Sequence, residues 1–338
     1  MKRDVFFDNA KLLLIFLVVF GHMIQPFTDG SVPMYTLYTW IYTFHMPAFI
    51  FLAGFFAKGS GHKDYIIQLA KKLILPYLIF QLAYTGYFFF IGKDGWLNGP
   101  FYPHWSLWFL FSLFCWHILL YWFKKIPPII GITIAVEVGL VVGYFNDIGH
   151  SFSLSRTFVF FPFFLAGYWL TKEHVKLFRT RRAREIGLVV MALTAGLIAA
   201  FPEVSSGWLL GSKSYADLGN PEFGGLIRLM VYLLAAVMTV SVLSWVPGKE
   251  YRFSYLGGKT LYVYLLHGFF IQFFRQAEWF KVGSIFDILG LAIVAALIVY
   301  LLSSSIIRTL TQPLIEGRTQ LIKHWWHRHS NKDSNYQP

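Results

Sequence analysis

The chain has 338 residues, of which 56% are hydrophobic, 20% aromatic and only 14% charged, against the roughly 25% charged residues of an ordinary soluble domain. A soluble fold of this length lacks the polar residues to cover itself, so lipid must be the solvent for much of its surface. The formal charge of +12, from 29 Lys and Arg against 17 Asp and Glu, suits nucleic acid or a membrane surface, and the placement of the basic residues decides which.

Ten stretches approach the roughly 20 mostly apolar residues that a membrane helix needs. They lie near 10–28, 35–57, 73–92, 105–123, 128–146, 155–170, 187–202, 225–246, 260–280 and 285–307, and predict an all-α integral membrane protein of about ten transmembrane helices. With the N-terminus cytoplasmic, 23 of the 29 Lys and Arg fall in inner segments, from Lys2, Arg3 and Lys11 through Lys58, Lys63, Lys71 and Lys72 to the Lys172–Arg184 run. This fits the positive-inside rule and puts both termini in the cytoplasm. Lys93, Arg156, Lys213 and Lys281 remain outside, with Arg228 and Arg275 inside helices near the outer face. Spread over six short segments, the charges form no stripe for nucleic acid, and none is expected as a partner; the bilayer is.

Lys2 and Arg3 ahead of Leu12–Phe20 resemble a signal peptide, but no small-x-small site follows, so this reads as a retained first span. The single cysteine, Cys115, excludes an intramolecular disulfide. The longest outer connection, Pro202 to Gly224, reads as a Gly/Ser-punctuated loop. The organisation expected is a membrane domain over 1–310 and a basic cytoplasmic tail over 311–338, whose Lys323–His329 run suits the membrane interface better than a metal.

Ionisable groups in hydrocarbon are costly and therefore candidates for function. In the first span, eleven residues at about 100° each make three turns plus about 20°, so Lys11 and His22 share a face about 16 Å apart along the axis. Asp8 and Gln25 extend that stripe. The stripe faces a wet interior, or else Lys11 snorkels and His22 makes a structural helix–helix hydrogen bond. His45 sits beside Pro47, which should break the local ladder, and His267 lies in the ninth span. Without carboxylate or cysteine companions at ligand spacing, no metal is expected, and proton transfer suits these histidines better. Cys115 and His117, two apart on a helix, face differently. Ser60–Lys63 matches S-x-x-K by letters only. Glu137 and Asp287 would pair structurally, and Trp105 and Trp108 are read as interfacial anchors, although their rings also suit sugar stacking.

Lys11 and His22, ten residues apart, resemble the basic-x10-His signature of the membrane acyltransferase 3 family. Phe7-Asp8-Asn9-Ala10-Lys11 through Gly21-His22 is closest to the branch named after fucose 4-O-acetylase. Phe44-His45-Met46-Pro47 with Phe51-Leu52-Ala53-Gly54, Lys72 with Pro76-Tyr77, Leu107-Trp108-Phe109-Leu110, and Tyr255-Leu256-Gly257 through Tyr264-Leu265-Leu266-His267 are similar to further segments of that branch. Lys11 stands where many members carry arginine, which keeps the charge but loses the bidentate fork, and Ala53 where serine is usual.

The resemblance implies an O-acyltransferase of the cell membrane, without the appended hydrolase-like domain of many relatives. It would move an acetyl group from cytoplasmic acetyl-CoA, a donor substrate and not a resident cofactor, to a carbohydrate or glycolipid hydroxyl, alongside surface-polymer biosynthesis proteins. His22 would be general base or acyl carrier, Asp8 would orient Lys11, and His45 would be a relay or oxyanion donor. Lys11, Lys71, Lys72 or the Lys172–Arg184 loop would hold the donor phosphates. Trp108 and His267 are the expected acceptor contacts. The competing reading is a proton-coupled transporter or flippase of a glycan precursor, which requires interrupted helices; His45-Met46-Pro47 is the one break in view.

Overall fold

The structure, a computed structural model, describes residues 4–57, 61–97, 99–149, 151–318 and 320. Lys2, Arg3, Lys58, Ser60 and the Lys323–His329 run therefore lie outside the described residues. In chain order the helices are α1 (Val5–Ile24), α2 (Val32–Phe55), α3 (Lys63–Phe90), α4 (Trp108–Phe123), α5 (Pro128–Val142), α6 (Leu154–Tyr168), α7 (Lys172–Phe178), α8 (Arg181–Ala200), α9 (Gly207–Leu210), α10 (Gly224–Trp245), α11 (Thr260–Gln276), α12 (Ile285–Leu302) and α13 (Ser305–Glu316).

Ten of these fall on the ten apolar stretches, and among the described residues no strand occurs. The chain is an all-α, multi-pass membrane protein. Six helices are long and apolar enough to cross a bilayer: α1, α3, α4 with its preceding turn, α8, α10 and α12, while α5 and α6 are shorter apolar helices. The long helices outside that set, α2 and α11, carry His45 and His267, both buried. Their polar residues lower their hydropathy because they face protein instead of lipid. Leu82, Phe90, Ile129 and Phe286 project outward, as a lipid-facing surface requires.

Helix α2 lies against α1, α6, α8 and α10. Its crossing with α6 is fixed by two glycines: a Cβ on Gly54 would stand 2.0 Å from the Phe164 carbonyl oxygen, and one on Gly167 would stand 1.9 Å from that of Phe51. Where hydrophobic burial no longer drives association, such backbone contact is how helices gain packing energy. At the start of α1, Asn9 Nδ2 donates to the carbonyls of Pro247 (2.8 Å) and Lys249 (3.0 Å), tying the first span to the connection before α11.

Several local expectations change. Helix α2 continues through Pro47; the missing N–H costs one ladder bond without ending the helix. The 202–224 connection is not a simple surface loop. Its Trp208 and Tyr215 are buried, Tyr215 Oη donates to the Leu140 carbonyl at 2.8 Å, and Arg228 Nη1 donates to the Trp208 carbonyl at 2.5 Å. Buried aromatics and a cation capping a carbonyl draw the segment into the bundle. Asp287 accepts from Ser284 at the N-terminus of α12 in a capping box instead of pairing with Glu137, which is exposed. Helix α13 runs across residue 310 and packs on α3, α11 and α12.

Candidate active site

A cavity of about 150 Å³ opens among α1, α2, α4, α6 and α11. Helix α1 contributes Ile15, Val18 and His22, the turn that follows it contributes Gln25, and α2 contributes Tyr42, His45, Met46 and Phe49. At about 100° per residue all three α1 residues lie within about 40° of Lys11, so the wall of the cavity is the stripe that begins with that lysine. Ile15 is about 10 Å before His22 along the axis, and Lys11 one further turn. The cavity thus descends from His22 toward the end of the bundle where α1 begins, called here the basic end. At the other end its walls are Trp105, Arg156 and, from the in-folded connection, Leu209 and Leu210.

His22 is half-buried, its ring reaching the cavity. Its Nδ1 stands 3.2 Å from Tyr42 Oη, and Tyr42 is hydrogen-bonded to Tyr38. Gln25 Nε2 donates to Tyr38 Oη at 3.3 Å. Arg275 Nη2 donates to Gln25 Oε1 at 2.8 Å and to the His22 carbonyl at 2.5 Å. A charged donor therefore fixes the amide, the amide fixes the first phenol, and the phenols fix the imidazole.

The other histidines have their tautomers set by backbone. His45 Nδ1 lies 3.0 Å from the Ile41 carbonyl, and since a carbonyl only accepts, that nitrogen carries the proton. Neutral His45 then presents Nε2 as an acceptor, which suits a relay; an oxyanion donor would require the imidazolium. His267 Nδ1 is bound in the same way by the carbonyls of Val263 (3.0 Å) and Tyr264 (2.7 Å). His267 stands behind the cavity, stacked on His22 at 5.7 Å and tilted against Trp105 at 5.1 Å between ring centroids, and among the described residues its buried Nε2 has no partner.

Two glycines next to these histidines make room for their aromatic neighbours. A Cβ on Gly21 would approach Tyr42 Cε2 to 3.0 Å, and one on Gly268 would come within 2.2 Å of Tyr84 Oη and 2.5 Å of the Trp105 ring. Gly21-His22 and His267-Gly268 are thus each a histidine with a slot beside it. The same packing corrects the expectation for the tryptophans: Trp108 is buried and Trp105 half-buried against His22 at 4.4 Å between ring centroids. Cavity contacts, not headgroups, occupy both.

Lys11 Nζ and Asp8 Oδ1 form an ion pair of 3.0 Å, with Asp8 buried and Lys11 partly exposed, well removed from His22. Lys71 and Lys72 are exposed on α3 and line no part of the cavity. Arg179, at the end of α7, is brought to α1 instead: its guanidinium lies 5.3 Å over the Phe6 ring. The sequence-expected residues thus divide into His22, His45 and Trp108 on the cavity, His267 behind it, Lys11 and Asp8 below it, and the α3 lysines apart.

Sequence reasoning missed Tyr38, Tyr42, Arg156, Arg275 and the Leu209-Leu210 flap as site residues. Arg156 and Arg275 were visible as exceptions to the inward bias of positive charge. Tyr42, three residues before His45 and so on its face, carried a weaker signal.

The profile of the acyltransferase 3 family (Acyl_transf_3), described as an acyltransferase domain, matches residues 4–305. The chain belongs to this family. The matched range contains every residue of the cavity and of the hydrogen-bonded chain behind His22. The nodulation protein NolL of Mesorhizobium japonicum is 34% identical over 84 residues, covering 23% of this chain and 22% of that protein. The nodulation protein NolL of Sinorhizobium fredii is 33% identical over 84 residues, covering 23% of each. The chain therefore matches less than a quarter of the length of these curated relatives. No solved structure matches it.

Proposed function

We propose that the protein is an O-acetyltransferase of the cell membrane, close to the fucose 4-O-acetylase branch, that carries acetyl groups from acetyl-CoA to a hydroxyl of a cell-surface or lipid-linked carbohydrate. The observation that carries this reading is the half-buried His22 imidazole, facing a cavity with its Nδ1 held by Tyr42. With Nδ1–H donating to Tyr42 Oη, Nε2 has a free lone pair. It takes the proton of the acceptor hydroxyl as the oxygen attacks the thioester carbonyl carbon. Collapse of the adduct breaks the carbon–sulfur bond, and the proton held on Nε2 leaves with the CoA sulfur, so the imidazole returns neutral.

The donor's nucleotide is too polar for the bilayer and belongs at the basic end, where Lys11 and Arg179 flank the start of α1. From there the thin pantetheine arm follows the α1 stripe past Ile15 and Val18 to His22. Lys71 and Lys72 contribute only if the nucleotide extends to α3. His45 serves as a proton relay on the cavity wall, and Trp108 is an aromatic surface for the sugar. The bilayer, the glycan acceptor and neighbouring polymer-synthesis proteins are the partners this reading implies. The flippase alternative loses its one sign in the sequence, because α2 is not interrupted at Pro47.

Deleting the protein from its cells and measuring ester-linked acetate on surface polymer tests the reading. Loss of acetate, restored by the wild-type chain but not by His22→Ala, is expected. Unchanged acetate would refute it.

A further inference from the structure

We propose that the acceptor is an anionic sugar and that Arg156 binds its charge; this rests on the acyl-transfer reading of the same cavity. Arginine within a membrane helix is expensive and must be compensated by protein, water or ligand. The three arginines toward this end of the bundle are compensated differently. Arg275, which does not line the cavity, donates through Nη2 to both the His22 carbonyl and Gln25 Oε1. Arg228 spends Nη1 on the Trp208 carbonyl and holds the in-folded connection. Arg156 bonds only through Nε, to the Leu210 carbonyl at 3.3 Å, while its guanidinium carbon lies 5.0 Å over the Trp108 ring.

Among the described residues neither Nη group of Arg156 has a protein acceptor, and the ion pairs lie elsewhere, at Lys11–Asp8 and Arg181–Glu185. The cavity that Arg156 lines has no Asp or Glu in its wall. The polar residues that share the wall with it are Tyr42, Tyr264, His22, Gln25, His45 and Ser106. The site is therefore a guanidinium lying over an aromatic ring, with both Nη groups unspent, in a cavity whose wall holds no carboxylate as counterion. That is the geometry for a planar or tetrahedral oxyanion held through two parallel hydrogen bonds. Arg156 stands at the wall opposite the donor's approach, next to Leu210, so the anion belongs to the acceptor. A uronic carboxylate and a sugar phosphate share this chemistry.

The test is titration of the purified protein in lipid nanodiscs with methyl glucuronide, its uncharged amide and glucose 6-phosphate. Methyl glucuronide or the phosphate should bind at least tenfold more tightly than the amide, and which of them does identifies the anion. Arg156→Gln should bring both down to the level of the amide, with Arg156→Lys intermediate because it keeps charge without the fork. Equal binding of the acid, the phosphate and the amide by the wild type overturns the proposal even if Arg156→Gln fails to fold. An unchanged preference in Arg156→Gln also overturns it. Release of CoA from acetyl-CoA by the wild type is read separately. Its absence beside intact anion selectivity fails the acyl-transfer reading, whereas its presence beside charge-blind binding fails the anion proposal alone.

Discussion

His22 Nδ1 and Tyr42 Oη stand 3.2 Å apart across the α1–α2 contact, and they do so because Gly21 leaves the Tyr42 ring its place. The phenol's role is to hold the imidazole proton on one nitrogen. Tyr42→Phe keeps the ring, and hence the packing, but releases the tautomer. Loss of an orienting partner of this kind costs about 10- to 100-fold. The expected result is that fall in kcat with little change in the KM for acetyl-CoA, read by initial rates of CoA release.

The glycine slots should rank by the room they leave. A Cβ at position 268 meets Tyr84 and Trp105 at 2.2–2.5 Å, whereas one at position 21 meets only an aromatic edge at 3.0 Å. Gly268→Ala therefore costs about 1–3 kcal/mol of overpacking and displaces Trp105 from the cavity, while Gly21→Ala costs less. Thermal unfolding of the two variants in detergent should show the larger drop for Gly268→Ala.

The α2–α6 crossing tolerates no side chain at all. Because a Cβ added to Gly54 or Gly167 would stand about 2 Å from a carbonyl oxygen of the opposing helix, the helices must separate if either becomes alanine, and backbone cannot yield as a side-chain tip can. Gly54→Ala and Gly167→Ala should each lower the yield of folded protein more than Gly268→Ala does, measured as the monodisperse fraction after extraction.

At the basic end Lys11 and Arg179 are partly exposed, so their effects should be on binding. Lys11→Ala should raise the KM for acetyl-CoA about tenfold, with Lys11→Arg close to wild type, since a point charge and a guanidinium both serve an anionic ligand. Asp8→Asn should fall between, because the 3.0 Å ion pair positions the lysine. Arg179→Ala should also raise this KM, and Lys71→Ala should not. Initial rates at varied acetyl-CoA separate these outcomes.

The helices were readable because lipid imposes a length and an apolarity on each span, and the Lys11–His22 stripe because 100° per residue aligns them whatever the surroundings. What escaped reading depended on contacts between distant segments. Arg275 meets His22 across some 250 positions, and Leu210 reaches Arg156 from a connection whose Gly and Ser content says only that it turns. Trp105 and Trp108 illustrate the limit: a tryptophan near a span's end fits a headgroup anchor or a cavity wall equally well until its neighbours are known. The tautomers of His45 and His267 were likewise fixed by carbonyls of their own helices, which sequence supplies at every position and therefore does not distinguish.

The central claim is that His22 is the base of an acetyl transfer, and the most direct measurement compares purified wild type and His22→Ala in lipid with radiolabelled acetyl-CoA and a saccharide acceptor. Transfer of label to the sugar should fall by about 10² to 10⁴-fold in the variant while acetyl-CoA still binds with wild-type affinity. Label transfer that persists at the wild-type rate without the imidazole would contradict the account.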